Sequence, residues 1–334
     1  MKALVRYDDQ AYAWRVEEMD EPVCGPEEVK IKVAYAGICG SDLHMYHGVF
    51  IVPGKFVSGH EFSGTIAEIG EQVTGFMVGE RVTVEHTYST CGVCKVCRKG
   101  SYQLCKERKS IGFDVNGAFA EYLTVRPEYI HRLPKNVSLK EAGLSEPLAC
   151  AVHAVELIKP EPFDRVLVIG PGPIGLLTAL TFMAHQAKVD IVGTPNDGLR
   201  LDKAREMGIS VIENPEEDAY SIVAECSGSQ GGMNLALKSV ERGGQYLQVG
   251  IAGKPVSLDF DAPLYKELNI QGTYCHNYAS WEKTIDYLSR GLIDVKPLIS
   301  KVIALEDWKE AIEELDQQKA LKILIGFGSA EDEQ

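Results

Sequence analysis

The chain has 334 residues, 45% of them hydrophobic and 25% charged, the balance of a folded globular protein, and it is longer than the roughly 250–300 residues one core holds, so two domains are expected. With 34 Lys and Arg against 48 Asp and Glu the formal net charge is -14, which excludes a surface of clustered cations for nucleic acid and leaves small molecules as partners. The start MKALVRYDDQ lacks a signal peptide's apolar segment and no apolar run nears the roughly 18–20 residues that span a bilayer, so a cytoplasmic protein with no membrane partner is expected.

Up to about residue 135 the chain reads as short β-rich runs broken by glycine: VKIKVAYAGICG, SGTIAEIG, ERVTVEH and AEYLTV. Within this region residues 38–64, ICGSDLHMYHGVFIVPGKFVSGHEFSG, read as strand and turn. Cys39, His60 and Glu61 offer one soft, one borderline and one hard donor, the mixture found at catalytic zinc with an open position. Each has a plainer reading, as a small buried hydrophobe, a turn histidine and a strand-end carboxylate. Ser41 and His44 follow Cys39 at a spacing that sets a hydroxyl and an imidazole beside such a metal, the parts of a proton relay. His47 reads as a surface residue.

The next segment, CGVCKVCRKGSYQLC, carries Cys91, Cys94, Cys97 and Cys105. Four thiolates at these spacings close around one tetrahedral ion and leave no position for water, so the zinc held there is expected to be structural. Nine cysteines in all is an odd number, and the cluster suits metal in a reducing compartment better than disulfides. A zinc ribbon for nucleic acid is set aside by the isoelectric point near 5.1. Farther on, Glu146 in LSEPLACAVHA stands just before an expected helix. It either faces the same metal as Cys39, directly or through water, or serves as a helix N-terminal carboxylate.

From about 150 strand-like and helical runs alternate: RVLVIG, GLLTALTFMAHQ, VDIVG, GLRLDKAREMG, SIVAECSG and QYLQVG. That alternation implies βαβ crossovers and a parallel sheet. In VLVIGPGPIGLL, Gly170, Gly172 and Gly175 form a G-x-G-x-x-G array between strand and helix, with Pro173 and Ile174 opening the helix, and such a turn binds a dinucleotide pyrophosphate. An acid that binds the ribose is expected about 20 residues on. Thr194 stands there instead, so Arg200 or Lys203 facing a 2'-phosphate and Asp197 reaching the ribose both stay open. Helices are expected around SWEKTIDYLSRG and LEDWKEAIEELDQQ, and GSAEDEQ reads as a frayed tail.

Taken in order, CGSDLH, GHEFSGTIAEIG, the four-cysteine lobe, GAFAEYLTV, EPLACAVHA and GPGPIG resemble the zinc-containing medium-chain dehydrogenases, particularly the polyol (sorbitol-type) and threonine dehydrogenase branch, over nearly the whole chain. The resemblance implies an α/β protein. A GroES-like β-rich catalytic domain would span 1–150, with the structural zinc lobe at about 86–110, and be completed by 288–334; a Rossmann domain would span 151–287. It implies two zinc ions per chain, one catalytic on Cys39, His60 and Glu61 with Glu146 as a fourth or exchangeable ligand, and one structural on the four lobe cysteines. It further implies NAD or NADP as cofactor, Ser41 and His44 as the relay, and a homodimer or homotetramer joined through Rossmann edge strands.

Alcohol dehydrogenases of this superfamily usually have cysteine where Glu146 stands, which favours polyols or hydroxy acids. The expected reaction is reversible oxidation of a secondary alcohol in a polyol, sugar acid or similar metabolite. L-threonine 3-dehydrogenase is the alternative, since GFDVNGAFAEY resembles that branch; a non-catalytic dinucleotide-binding relative is the alternative from another class. Cys275 and His276 in GTYCHNY depart from the Arg-Tyr pair of sorbitol-type enzymes, leaving His276 or Asn277 as a candidate substrate or nicotinamide contact. Phe113 is either a pocket wall or packing.

Overall fold

The glycine-punctuated runs of the first third assemble as antiparallel sheet. In this computed structural model, which describes residues 1–7, 11–49 and 54–328, the main sheet orders Ile130–Arg132, Arg81–Val84, Glu61–Ile69, Val29–Gly37, Lys322–Gly326 and Ile299–Ile303, with Tyr122–Val125 also on Val29–Gly37. The late strand Lys322–Gly326 runs antiparallel to Val29–Gly37, with Leu324 opposite Gly37. On its other side it runs parallel to Ile299–Ile303.

This unit comprises Met1–Glu146, Asn277–Ser289 and the chain from Ile299 onward. Its core joins Leu4, Ile31, Phe62, Val82 and Phe119 to Trp308, Ala311, Ile312 and Leu315. The last four lie on the helix Trp308–Asp316, where an i, i+3, i+4, i+7 spacing turns one apolar stripe inward.

The second unit, Pro147–His276 with Arg290–Leu298, carries a six-stranded sheet ordered Ser210–Val211, Lys188–Val192, Arg165–Ile169, Tyr220–Glu225, Val240–Gln248 and Asn269–Gly272. Every pairing in it is parallel. Numbered along the chain this order is 3-2-1-4-5-6, the doubly wound dinucleotide-binding arrangement. Leu167, Val223, Leu237 and Leu247 are among its buried apolar side chains, as expected of strands covered on both faces.

Three local expectations are corrected. Residues 38–64 are not only strand and turn, because Gly40–Tyr46 form a helix with Cys39 at its N-cap. The Cys39 N–H donates to the Asp42 carboxylate at 2.8 Å, a reach-back contact that starts a helix. His47 is half-buried rather than a surface residue: its Nε2 lies 2.8 Å from Asp316 Oδ2 and its ring packs on Tyr12 and Tyr46. Glu146 lies inside the first turn of the helix Ser145–Ile158, not before it.

Candidate active site

Strand register explains why Cys39 and Glu61 meet. Gly37 at the end of Val29–Gly37 pairs with Glu61 at the start of Glu61–Ile69, so the chain two residues past Gly37 turns over the end of its neighbour. A Cβ on Gly37 would fall 2.3 Å from Glu61 Oε2, so only glycine allows the carboxylate to lie there. Donor atoms of Cys39, His60 and Glu61 all lie within 4.8 Å of one another. His60 and Glu61 are buried, at 4% and 0% exposure.

Burial and the Glu61 charge push the Cys39 thiol well above its ordinary range, with Lys322 opposing. A half-buried thiol beside a buried carboxylate suits a cation, since a bound metal reverses the local charge balance and draws off the thiol proton. The donor set therefore fits zinc, with three protein ligands and room for a fourth. Ser41 Oγ is 3.3 Å from His60 Nε2. His44 is half-buried three residues on along the same helix, a spacing that shares a face. On the far side of His60, Nδ1 faces Asp42 Oδ1 at 3.7 Å. Burial raises Asp42 to about 6, against the pull of His60 and the Cys39 N–H.

Two residues around this group leave no signal in the sequence, and a third does. Lys322 donates to both Glu61 oxygens, at 2.8 and 2.7 Å. His86 Nδ1 lies 2.9 Å from Glu146 Oε1, both side chains being buried. Asp42 was readable, as an acid three residues after the helix-capping Cys39. Glu146 is not among the three donors grouped within 4.8 Å, though its charge acts on Cys39. The Phe113 ring stands 5.0 Å from that of His60 and 6.5 Å from that of His86, so it packs on this group.

In the lobe, sulfur separations are 3.4 Å for Cys94 and Cys97, 3.6 Å for Cys105 and Cys91, 3.9 Å for Cys91 and Cys97, and 4.0 Å for Cys94 and Cys105. A tetrahedron around zinc with bonds near 2.3 Å has edges of about 3.8 Å, so the four sulfurs fit that ion. Backbone N–H groups of Cys94 and Val93 lower Cys91 to about 7, which favours the thiolate.

At the glycine turn, Gly170 has φ +98°, a conformation favouring glycine, and its N–H donates to Val192 O at 2.9 Å. A Cβ on Gly175 would fall 1.9 Å from Gly170 O, whereas one on Gly172 would meet nothing within 4 Å. Gly172 caps the helix Pro173–Ala184, with Pro173 in its first turn. Pro173 and Ile174 are half-buried there.

Asp197 caps its own turn. Its Oδ2 accepts from Thr194 N and Oγ1 at 2.8 and 2.7 Å, and its Oδ1 accepts from Arg200 at 3.4 Å. Asn277 Oδ1 accepts from Ser280 N at 3.1 Å at the start of a helix. His276 is buried at 0% exposure. No helix among the described residues is long and apolar enough to cross a membrane.

Comparison with known proteins agrees with this architecture. Residues 25–135 match the alcohol dehydrogenase GroES-like domain and residues 173–290 the zinc-binding dehydrogenase domain. Sorbitol dehydrogenase of Halalkalibacterium halodurans is 39% identical, covering 97% of this chain and 99% of its own. D-arabitol-phosphate dehydrogenase of Enterococcus avium is 36% identical, covering 96% and 94%. Among solved structures, an alcohol dehydrogenase of Escherichia coli CFT073 in complex with NADH superposes with a TM-score of 0.89 at 28% identity, covering 98% and 99%. Two matched domains and relatives aligned from end to end leave one conclusion: the chain belongs to the zinc-binding dehydrogenases with a GroES-like domain, and is a zinc-type NAD(P)-dependent alcohol dehydrogenase.

Proposed function

We propose that the enzyme reversibly oxidises a secondary alcohol of a polyol, sugar acid or similar metabolite. The observation that carries this reading is the convergence of the half-buried Cys39 thiol with the buried His60 imidazole and Glu61 carboxylate within 4.8 Å. The names of the relatives at 39% and 36% identity, a sorbitol and an arabitol-phosphate dehydrogenase, favour it over the L-threonine alternative. Cys39, His60 and Glu61 hold the catalytic zinc, with Glu146 as an exchangeable fourth ligand, and Cys91, Cys94, Cys97 and Cys105 hold a second, structural zinc. The catalytic domain is made of Met1–Glu146, Asn277–Ser289 and the chain from Ile299 onward, and the nucleotide domain of Pro147–His276 with Arg290–Leu298.

When bound, zinc would supply a Lewis acid for the alcohol oxygen and the nicotinamide a hydride acceptor. The chain's own part is positioning and proton transfer. Ser41 Oγ takes the proton given up by the alcohol and the His44 imidazole passes it onward. Lys322 holds Glu61 in place, and His86 orients Glu146. Backbone amides after Gly170, Gly172 and Gly175 bind the pyrophosphate, and Thr194 and Arg200 lie toward the adenosine ribose.

The enzyme works as a homodimer or homotetramer in the cytoplasm, where its thiols stay reduced. The edge strand Asn269–Gly272 supports assembly, since Ile270 on it and Phe260, Leu264, Tyr265 and Tyr274 near it are exposed, and a second copy's edge would cover them. The test is metal quantitation with turnover on polyols, sugar acids and L-threonine, using NAD and NADP. Two zinc ions per chain and activity on a polyol or sugar acid are expected; activity on threonine alone overturns the reading.

A further inference from the structure

Tyr102 stands in the turn Tyr102–Leu104, between the third and fourth cysteines of the lobe. Its hydroxyl leaves the lobe and donates to Glu85, 2.8 and 2.7 Å from the two carboxylate oxygens. Glu85 directly follows the strand Arg81–Val84 and is 0% exposed. Such a buried carboxylate is costly unless its oxygens are bonded. Here they are: His131 Nε2 lies 3.1 Å from Oε1, and the other ring nitrogen of His131 lies 3.0 Å from Glu282 Oε1. Trp281 stacks flat on the same imidazole, centroids 5.0 Å apart and planes 8° apart. Burial and the Glu85 charge also push the Tyr102 hydroxyl above its ordinary range, so it stays a donor.

The next residue along the chain is His86, which pairs with Glu146 at 2.9 Å and whose ring is 5.8 Å from that of His60. Glu85 and His86 are consecutive in the short bend between the strands Arg81–Val84 and Thr87–Ser89. One backbone step therefore joins a residue that contacts the lobe to a residue beside the candidate active site. The step is pinned by the Glu85 N–H donating to Tyr129 O at 3.0 Å and by His86 O accepting from Ile111 N at 2.7 Å.

We propose that Tyr102 and Glu85 are positioning residues, a latch through which the metal-holding cysteine lobe fixes His86, and with it Glu146, beside Cys39 and His60. The inference rests on the reading that the lobe binds metal and that the Cys39 group is catalytic. It gives the structural zinc a second consequence beyond holding its own loop.

The test is Tyr102→Phe in the zinc-loaded enzyme, followed by turnover, metal content and amide hydrogen exchange. The variant is expected to keep the lobe metal and to lose kcat by about tenfold with little change in cofactor KM. The amides of Glu85 and Ile111 should exchange about tenfold faster. Metal retained, with kcat and both amides within about twofold of wild type, overturns the latch, because so small a change is what a surface contact gives. Should the variant not fold, the same amides are followed in the wild-type holoenzyme as a chelator strips the lobe. Faster exchange at Glu85 and Ile111 supports the latch, and a change confined to residues 91–105 overturns it. Wild type found without lobe metal overturns the functional reading as well, whereas an unaltered Tyr102→Phe in a two-metal protein overturns the latch alone.

Discussion

The Lys322 ammonium sits between the two oxygens of Glu61, at 2.8 and 2.7 Å, and also donates to Ile38 O at 3.1 Å. Both side chains are buried, at 3% and 0% exposure. Burial works against the charge on Lys322, but the Glu61 carboxylate and the Cys39 sulfur outweigh it and hold the amine above its ordinary value. Removing one partner of such a pair strands the other. Lys322→Met is expected to cost about 3–5 kcal/mol in a urea titration of the metal-free protein, and the double variant Lys322→Met with Glu61→Gln less than the single one.

Gly172 and Gly175 separate binding from folding. A Cβ on Gly175 collides with Gly170 O, so Gly175→Ala is expected to lower stability as well as cofactor affinity. A Cβ on Gly172 meets no protein atom within 4 Å. Gly172→Ala should therefore fold with a loss within about 1 kcal/mol, yet bind NADH or NADPH about tenfold or more weaker, because the methyl group stands where the backbone approaches pyrophosphate. Thermal melts with and without dinucleotide read both effects.

Cys94→Ser tests the lobe. Its sulfur lies 3.4 Å from Cys97 and 4.0 Å from Cys105, so the variant removes one corner of the tetrahedron. Metal content is expected to fall from two ions per chain to one, with early proteolytic cutting inside residues 91–105, since a site of this kind couples metal to local folding.

The pH dependence of stability should carry a mark from His153. Burial, and then the nearby His276, hold its imidazole below the ordinary value. The unfolded chain takes up a proton as pH drops below about 6.5 while the folded one does not, so this contribution is present above that pH and is lost as pH falls toward the folded value. His153→Gln should flatten the slope of the urea midpoint between pH 7 and 5.5, values bracketing that window. An unchanged slope would assign it to other groups.

What the sequence made legible was local. The spacing of Cys91, Cys94, Cys97 and Cys105 and the array from Gly170 to Gly175 each lie within one turn or loop, so composition and order suffice to read them. The parallel sheet followed from alternating strand and helix runs. Lys322 and His86 were illegible for the opposite reason: Lys322 reaches Glu61 only through strand register, with Leu324 and Glu61 on either side of Gly37, and pairing between distant strands leaves no mark in local spacing. The helix Gly40–Tyr46 was missed because its donors drew attention from Asp42, whose reach-back to Cys39 is a legible helix signal. The capping contacts of Asp197 and Asn277 were illegible because they depend on backbone turns that local spacing does not spell out.

The strand Lys322–Gly326 has a consequence for how the enzyme is made. Glu61 and its partner Lys322 are separated by 261 residues, so the pocket around Cys39 cannot close while the ribosome is still working through the intervening message. The segment 147–276 leaves the exit tunnel complete, and its sheet has every strand it needs. The amino-terminal third must wait with an unfilled place beside Val29–Gly37 until Lys322–Gly326 is translated, and that interval is when a chaperone or a stray strand has its opportunity.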